Sequence, residues 1–395
     1  MTGTALIAVL LAMAAGVLAG RAWAAALRRG DPAERAGFRS SPHFTQGLHY
    51  LAAGQAELAI SEFGKVSRDE PDAVEVLLVL GNLLRERGQM ERAILVHQRL
   101  LSRADLTRPE RTHTLACLGM DFQKAGFIDR AARTFEEVLA TDPKNIHALA
   151  GMQKLHEEQR QWREAYEIQT RLARVRKHED GLVLGYLQAE IGQDAVRAGQ
   201  PGAAEQAFKA ALALDRRVFS AYLGLADLFE KGDPRRTAEI LENAVQAAPE
   251  RAYLAFDRLL RVHAGRSDPS RFVELCEKVI RQDSRDWRAR LALARHLRGE
   301  GRVDEAYGLL LRALEANPQV LVAHLEMWRT LRAMGARDEP VRRYVAAVEE
   351  SGFYRDPHVC TACHYRADDM LWRCPHCHEW NTFVEERLGP AAAMR

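Results

Sequence analysis

The chain carries almost no net charge. Its 395 residues hold 56 basic and 54 acidic side chains, a balance of +2, and no basic patch interleaves with aromatics. That argues against a nucleic-acid surface. Walker-type and dinucleotide glycine loops are missing, and so is a G-x-S-x-G elbow. The sequence therefore offers no phosphate cradle, no hydrolase serine and no catalytic residue to single out. Cysteine is scarce as well, with six in the whole chain. The first twenty residues contain no charged side chain at all.

That uncharged start reads MTGTALIAVLLAMAAGVLAG. As a helix, Thr2 to Gly20 would rise about 28 Å, close to the hydrocarbon thickness of a bilayer. Arg21, Arg28 and Arg29 follow at once and no Lys or Arg precedes the segment. Residues 1–22 thus read as a single-pass membrane anchor, with the N-terminus outside and the bulk of the chain cytoplasmic. Trp23 stands where an interfacial aromatic belongs. A cleaved signal peptide, with Ala22-Trp23-Ala24 as its site, would need a basic leading region, and the positive charge is on the wrong flank. Gly16 and Gly20 form a G-x-x-x-G pair able to pack on another membrane helix, which leaves room for a homo-oligomer. The polar stretch 23–39, with Gly and Pro, reads as a linker.

From residue 40 the chain repeats itself. Copies begin near Ser40, Val74, Thr112, Ile146, Gly185, Phe219, Tyr253, Trp287 and Leu321, at 34 residues or 34 plus a short insertion. In the clearest copy, Leu115, Leu118 and Phe122 recur at helical spacing, and so do Ala131, Phe135 and Val138. Gly126 lies between the two runs, where a left-handed residue ends a helix. That glycine recurs as Gly54, Gly88, Gly199 and Gly301. A small residue of the second helix recurs as Ala59, Ala93, Ala131, Ala165, Ala204, Ala238 and Ala306. Gly47, Gly81 and Gly119 fall together in the first helix, where only a tiny side chain lets paired helices approach. Pro71, Pro143 and Pro318 end their units. Two copies are degenerate: Arg160 and Ser267 replace the turn glycine, and Phe272 replaces the small alanine. Pro340 interrupts the last copy, which reads as a capping pair.

A 34-residue helix–turn–helix period with these positions resembles the tetratricopeptide repeat (TPR) family over roughly residues 40–350. The fold implied is all-α, a superhelical solenoid of about eight to nine hairpins. Such an array presents a concave surface and performs no chemistry of its own, so its default role is binding a partner protein.

Cys117 and Cys276 stand alone on repeat helices and read as small buried hydrophobes. The other four, Cys360, Cys363, Cys374 and Cys377, are spaced C-x2-C-x10-C-x2-C. Two such knuckles can aim four sulfurs at one centre, and a tetrathiolate site suits zinc or iron. Disulfides would conflict with a cytoplasmic setting, and a thioredoxin-like redox pair would need a βαβ surrounding. His358, His364, His376 and His378 crowd the region but are expected outside the ligand set. Residues 351–385 are too few for a self-sufficient core. Tyr365, Leu371, Trp372, Trp380 and Phe383 are expected to pack around the metal, with Arg366 and Arg373 offsetting its thiolate charge. Residues 386–395 read as a tail without defined structure.

The anchor, the repeats and the four-Cys module together resemble the lipopolysaccharide assembly protein B family of Gram-negative bacteria. The likeness is strongest in Leu371-Trp372-Arg373-Cys374-Pro375-His376-Cys377 with Trp380 and Thr382, similar to the family's L-x-W-x-C-P-x-C-x-x-W-x-T in its rubredoxin-like module. Cys360-Thr361-Ala362-Cys363 with Tyr365 resembles the first knuckle, where His364 replaces a glycine. Gly16, Gly20 and Arg21 are similar to the family's G-x-x-x-G-R-R, with Ala22 for the second Arg. The resemblance implies a non-enzymatic inner-membrane adaptor that regulates lipopolysaccharide biosynthesis. It implies as partners a membrane-anchored AAA+ protease, the lipid A pathway deacetylase that this protease degrades, and a second inner-membrane regulatory protein. Two other readings stay open: a rubredoxin-like electron carrier on a TPR scaffold, and a general envelope-biogenesis scaffold.

Overall fold

The computed structural model describes residues 41–335, apart from Pro71, Glu179, 265–269 and Gln319, together with residues 357–385. The expected anchor at 1–22, the linker at 23–39, Pro71, Ser267, Pro340 and the tail at 386–395 lie outside the described residues. Among those described, no helix is long and apolar enough to cross a membrane. The chain divides into two compact units, Met1–His178 and Glu179–Arg395.

Among the described residues, the first unit contains four helical hairpins: α1 (Pro42–Ala52) with α2 (Ala56–Asp69), α3 (Val74–Glu86) with α4 (Met90–Leu101), α5 (Arg108–Lys124) with α6 (Ile128–Thr141), and α7 (Ile146–Glu158) with α8 (Trp162–Arg176). Each first helix stops where the repeat glycine supplies a left-handed residue: Gly54, Gly88 and Gly126 have φ of 72°, 75° and 79°. The following N–H then closes a bond back across the turn, as Phe127 N does to Phe122 O at 2.9 Å. In the fourth hairpin Arg160 occupies this position with φ 56°, and Gln161 N still reaches His156 O at 2.8 Å. The geometry survives the loss of glycine at a backbone cost of roughly 1–2 kcal/mol.

The repeated alanines Ala59, Ala93, Ala131 and Ala165 are fully buried where the hairpin helices meet. Four residues after each comes a second buried position: Phe63, His97, Phe135 and Gln169. Here the helix glycines matter. A Cβ on Gly119 would lie 2.6 Å from the Phe135 ring, and one on Gly151 of the next hairpin 2.3 Å from it. Two glycines therefore clamp one ring from both sides. His97 holds the same place against Gly81; its Nδ1 lies 2.5 Å from Asp121 Oδ2, and Arg85 donates to Asp121 Oδ1 at 2.9 Å. The histidines on the repeats are expected at the surface or in packing; this one is a buried polar partner.

The second unit runs α9 (Gly181–Arg197), α10 (Pro201–Leu214), α11 (Phe219–Phe229), α12 (Pro234–Ala247), α13 (Tyr253–Ala264), α14 (Ser270–Gln282), α15 (Trp287–Gly299), α16 (Val303–Ala316) and α17 (Leu321–Ala333). Phe219, Tyr253, Trp287 and Leu321 start their helices at the repeat period, as the sequence implies. Helices α5 and α9 instead begin four residues ahead of Thr112 and Gly185. A capping box between Thr107 and Glu110 starts α5, and the Asp180 carboxylate caps α9 through Val183 N. Ala204, Ala238 and Ala306 are again fully buried, and so is Phe272 in the degenerate copy. Gly192 and Gly224 clamp Phe208 from two helices, at 2.6 and 2.4 Å from a built Cβ.

The unit ends in a three-stranded antiparallel sheet, ordered β2-β1-β3, from β1 (His358–Cys360), β2 (Arg366–Ala367) and β3 (Phe383–Glu385). Val359 pairs with both Arg366 and Val384, which puts the two Cys-x-x-Cys loops at one end of the sheet.

Candidate metal centre

The two loops are built alike. In the first, Cys360 O accepts from His364 N at 2.9 Å and Cys360 N donates to Tyr365 O at 2.9 Å. In the second, Cys374 O accepts from His378 N at 3.0 Å and Cys374 N donates to Glu379 O at 2.9 Å. The residue after the second cysteine must be left-handed for this path. His364 and His378 take that conformation, with φ of 60° and 61°. His364 therefore supplies the turn that a glycine gives elsewhere in the resembling motif, at some backbone strain.

This places all four cysteine sulfurs within 4.8 Å of one another. Cys360 Sγ is 3.7 Å from Cys377 Sγ, and Cys363 Sγ is 3.5 Å from Cys374 Sγ. These separations are far beyond a disulfide bond. They fit four thiolates about 2.3 Å from one central ion, which stand about 3.8 Å apart in a tetrahedron. The four histidines of the region contribute nothing to this cluster. Cys117 and Cys276 are buried free thiols on the repeats, as expected of small hydrophobes.

The surroundings divide the thiols. At Cys360 burial is the largest influence and acts upward, but the Thr382 hydroxyl and the N–H groups of Cys363 and Ala362 outweigh it. The thiol comes down to about 6. Burial raises Cys363 and pushes Cys377 up to about 12, with neighbouring sulfurs adding to the rise. The Cys360 thiol is ready to ionise at neutral pH, while Cys363 and Cys377 call for a positive charge beside them. Further donors wait on Cys374, whose Sγ lies 3.4 Å from His376 N and 3.5 Å from Cys377 N.

The aromatics around the cluster split into two groups. Phe383 is buried against Cys360 and Cys374 with Leu371 beside it, as expected. Trp372 and Trp380 turn the other way and seat the module on the repeats. Tyr186 of α9 stacks on both, with ring centroids 5.9 and 5.6 Å away. Its hydroxyl donates to Asn381 Oδ1 at 2.7 Å. Arg251 donates to Asn381 O at 3.3 Å and lies over Trp372, and Phe219 stacks on Trp372 as well. At the other edge Arg288 of α15 pairs with Glu385 and lies 4.7 Å from both the Tyr253 and Trp287 rings. Tyr365 stays exposed, stacked on His376. Arg373, expected to offset sulfur charge, lies over Trp380.

Residues 358–385 match the model of a rubredoxin metal binding domain. Tetratricopeptide repeat models match residues 44–106, 190–252 and 268–334. A solved structure, the C-terminal part of a TPR repeat-containing protein from Cytophaga hutchinsonii, aligns at 12% identity and a TM-score of 0.42, covering 72% of this chain and 99% of that one. Lipopolysaccharide assembly protein B of Escherichia coli K12 is 24% identical over 347 residues, 87% of this chain and 89% of the relative. The protein of the same name from Haemophilus influenzae is 24% identical over 361 residues, with the same coverage. Repeats, ribbon and near full-length likeness agree: along most of its length the chain is similar to lipopolysaccharide assembly protein B.

Proposed function

We propose that this chain is a membrane-tethered adaptor in lipopolysaccharide assembly, not an enzyme. Residues 1–22 anchor it in the inner membrane, the repeats of 40–350 bind partners on the cytoplasmic side, and the module of 351–385 is stapled by one ion. Cys360, Cys363, Cys374 and Cys377 hold that ion, zinc or iron. When bound it supplies cross-linking energy to a module too small to fold on a hydrophobic core alone. Four protein ligands leave no open position for a substrate water, which argues against hydrolytic chemistry there.

The observation that carries this reading is the seating of the ribbon on the repeats through Tyr186, Trp372 and Trp380. A metal module spent on fixing a binding scaffold suits an adaptor. The partners proposed are a membrane-anchored AAA+ protease, the lipid A pathway deacetylase as its client, and a second inner-membrane protein restraining the pair. Tethering confines the adaptor to the plane of its protease and raises their effective concentration. Deleting the chain in its native host should lengthen the half-life of the deacetylase. Unchanged turnover would overturn the reading.

The sulfur donor set also suits an electron carrier. That alternative requires iron in the native protein, a visible thiolate-to-iron absorption band and reversible reduction. A colourless, zinc-loaded protein removes it.

A further inference from the structure

We infer that Thr382 is a positioning residue for the ion, and that through it the repeats help to keep the ion in place. Its hydroxyl steadies the Cys360 thiolate, and its backbone hangs on Asn381, which the repeats grip. This rests on the reading above that the four cysteines hold an ion, and adds what retains it.

The donors around the sulfurs are of two kinds. Cys374 Sγ faces backbone N–H groups, those of His376 and Cys377 at 3.4 and 3.5 Å. Any residue but proline supplies such a donor. Cys360 Sγ lies 3.1 Å from the side-chain hydroxyl of Thr382, a donor that depends on the residue chosen. A thiolate has no proton to give, so beside an ionised Cys360 the hydroxyl donates to sulfur. Four thiolates outweigh the charge of a zinc or iron ion. Each donor to sulfur therefore eases their mutual repulsion and strengthens the hold on the metal.

Thr382 is itself pinned on two sides. Its carbonyl accepts from Thr361 N at 2.8 Å and from the Thr361 hydroxyl at 3.1 Å, which ties it to the first Cys-x-x-Cys loop. The residue before it, Asn381, is left-handed with φ 58°. Tyr186 donates to the Asn381 side chain at 2.7 Å, and Arg251 to its carbonyl at 3.3 Å. The N–H of Asn381 donates to Trp372 O at 2.6 Å. A left-handed residue other than glycine persists where its neighbours fix it. Two of those neighbours, Tyr186 and Arg251, belong to the repeats, and their grip sets the path that delivers Thr382 to Cys360. A β-branched residue beside a strand also serves shape alone. Valine keeps that shape and lacks the hydroxyl; serine does the reverse.

The test is the rate at which the zinc-loaded, purified full-length chain yields its ion to excess pyridylazoresorcinol. Thr382→Val should speed release by about tenfold or more, while Thr382→Ser should stay close to the parent. Tyr186→Phe should speed release by about twofold or more, and should add nothing in the Thr382→Val background. In the cobalt-loaded chain, Thr382→Val should move the sulfur-to-cobalt charge-transfer band to lower energy, because a thiolate without its donor gives up an electron more readily. Tryptophan emission reports whether each variant keeps its fold. Release unchanged in Thr382→Val, or as fast in Thr382→Ser, would overturn the proposal. So would a Tyr186→Phe effect that is absent, or that persists in full beside Thr382→Val. A parent chain that takes up no stoichiometric zinc or cobalt removes the ion reading and this inference with it. Normal loading with release indifferent to Thr382 sinks this inference alone and leaves the ion and adaptor readings standing.

Discussion

The hydroxyl of Tyr186 donates to the side chain of Asn381 at 2.7 Å, joining residues 195 positions apart in the chain. Around that bond the Tyr186 ring stacks on Trp372 and Trp380. Trp372 lies two residues before Cys374 and Trp380 three after Cys377. The side chains that grip the repeats are thus placed by the same knuckle that turns two sulfurs inward.

Tyr186→Phe should keep the stack and lose the hydrogen bond, costing about 1 kcal/mol of the second unit's stability. Tyr186→Ala removes the buried ring and should cost about 3–5 kcal/mol. Denaturant melts followed by tryptophan emission separate the two. Equal losses would mean that the hydroxyl, not the stack, holds the ribbon.

Replacing Cys374 or Cys377 by Ser should abolish stoichiometric metal and loosen residues 357–385, because three thiolates leave the tetrahedral shell incomplete. Cys117→Ser and Cys276→Ser, on the repeats, should leave metal content unchanged. Elemental analysis of natively purified variants decides this.

The paired glycines predict opposite outcomes for one substitution. Gly224→Ala drives a methyl to 2.4 Å from the Phe208 ring and should destabilise by about 1–3 kcal/mol. Gly64→Ala, within α2, meets nothing within 4 Å and should stabilise by about 0.5–1 kcal/mol. Thermal melts of the two variants give the signs.

Tyr253 supplies a pH signature. Burial raises its hydroxyl to about 12, with the Glu385 carboxylate adding to the rise. The unfolded group titrates near 10. The folded state therefore holds this proton longer, and the associated stability is complete below about pH 10 and lost as pH rises toward 12. Tyr253→Phe should flatten that alkaline loss in denaturation measured from pH 9 to 11.5. An unchanged slope would place the loss elsewhere.

Much of this was legible in the residues. The turn glycines, the buried alanines and the tight Gly–ring contacts all recur at one period, and a period survives single exceptions such as Arg160. The cysteine spacing likewise specifies which sulfurs can meet, since each Cys-x-x-Cys pair closes a local loop. The direction of Trp372 and Trp380 was not legible, because their partner Tyr186 belongs to a distant helix and no local pattern names it. The buried His97–Asp121 and His263–Glu242 pairs were hidden for a related reason. His97 and Glu242 occupy the repeat position that Phe63, Phe135 and Phe208 fill, and the carboxylate or imidazole that makes each tolerable comes from another helix. Helices α5 and α9 gained an extra turn from the caps at Thr107 and Asp180, which the 34-residue frame does not contain.

The most direct measurement is hydrogen exchange of the native full-length chain before and after metal removal by a chelator. Deprotection of residues 357–385 together with the α9 segment around Tyr186 is the predicted result, since the ion and the aromatic seat share one knuckle. Loss of the metal with both regions still protected would contradict a ribbon held to its repeats through four thiolates.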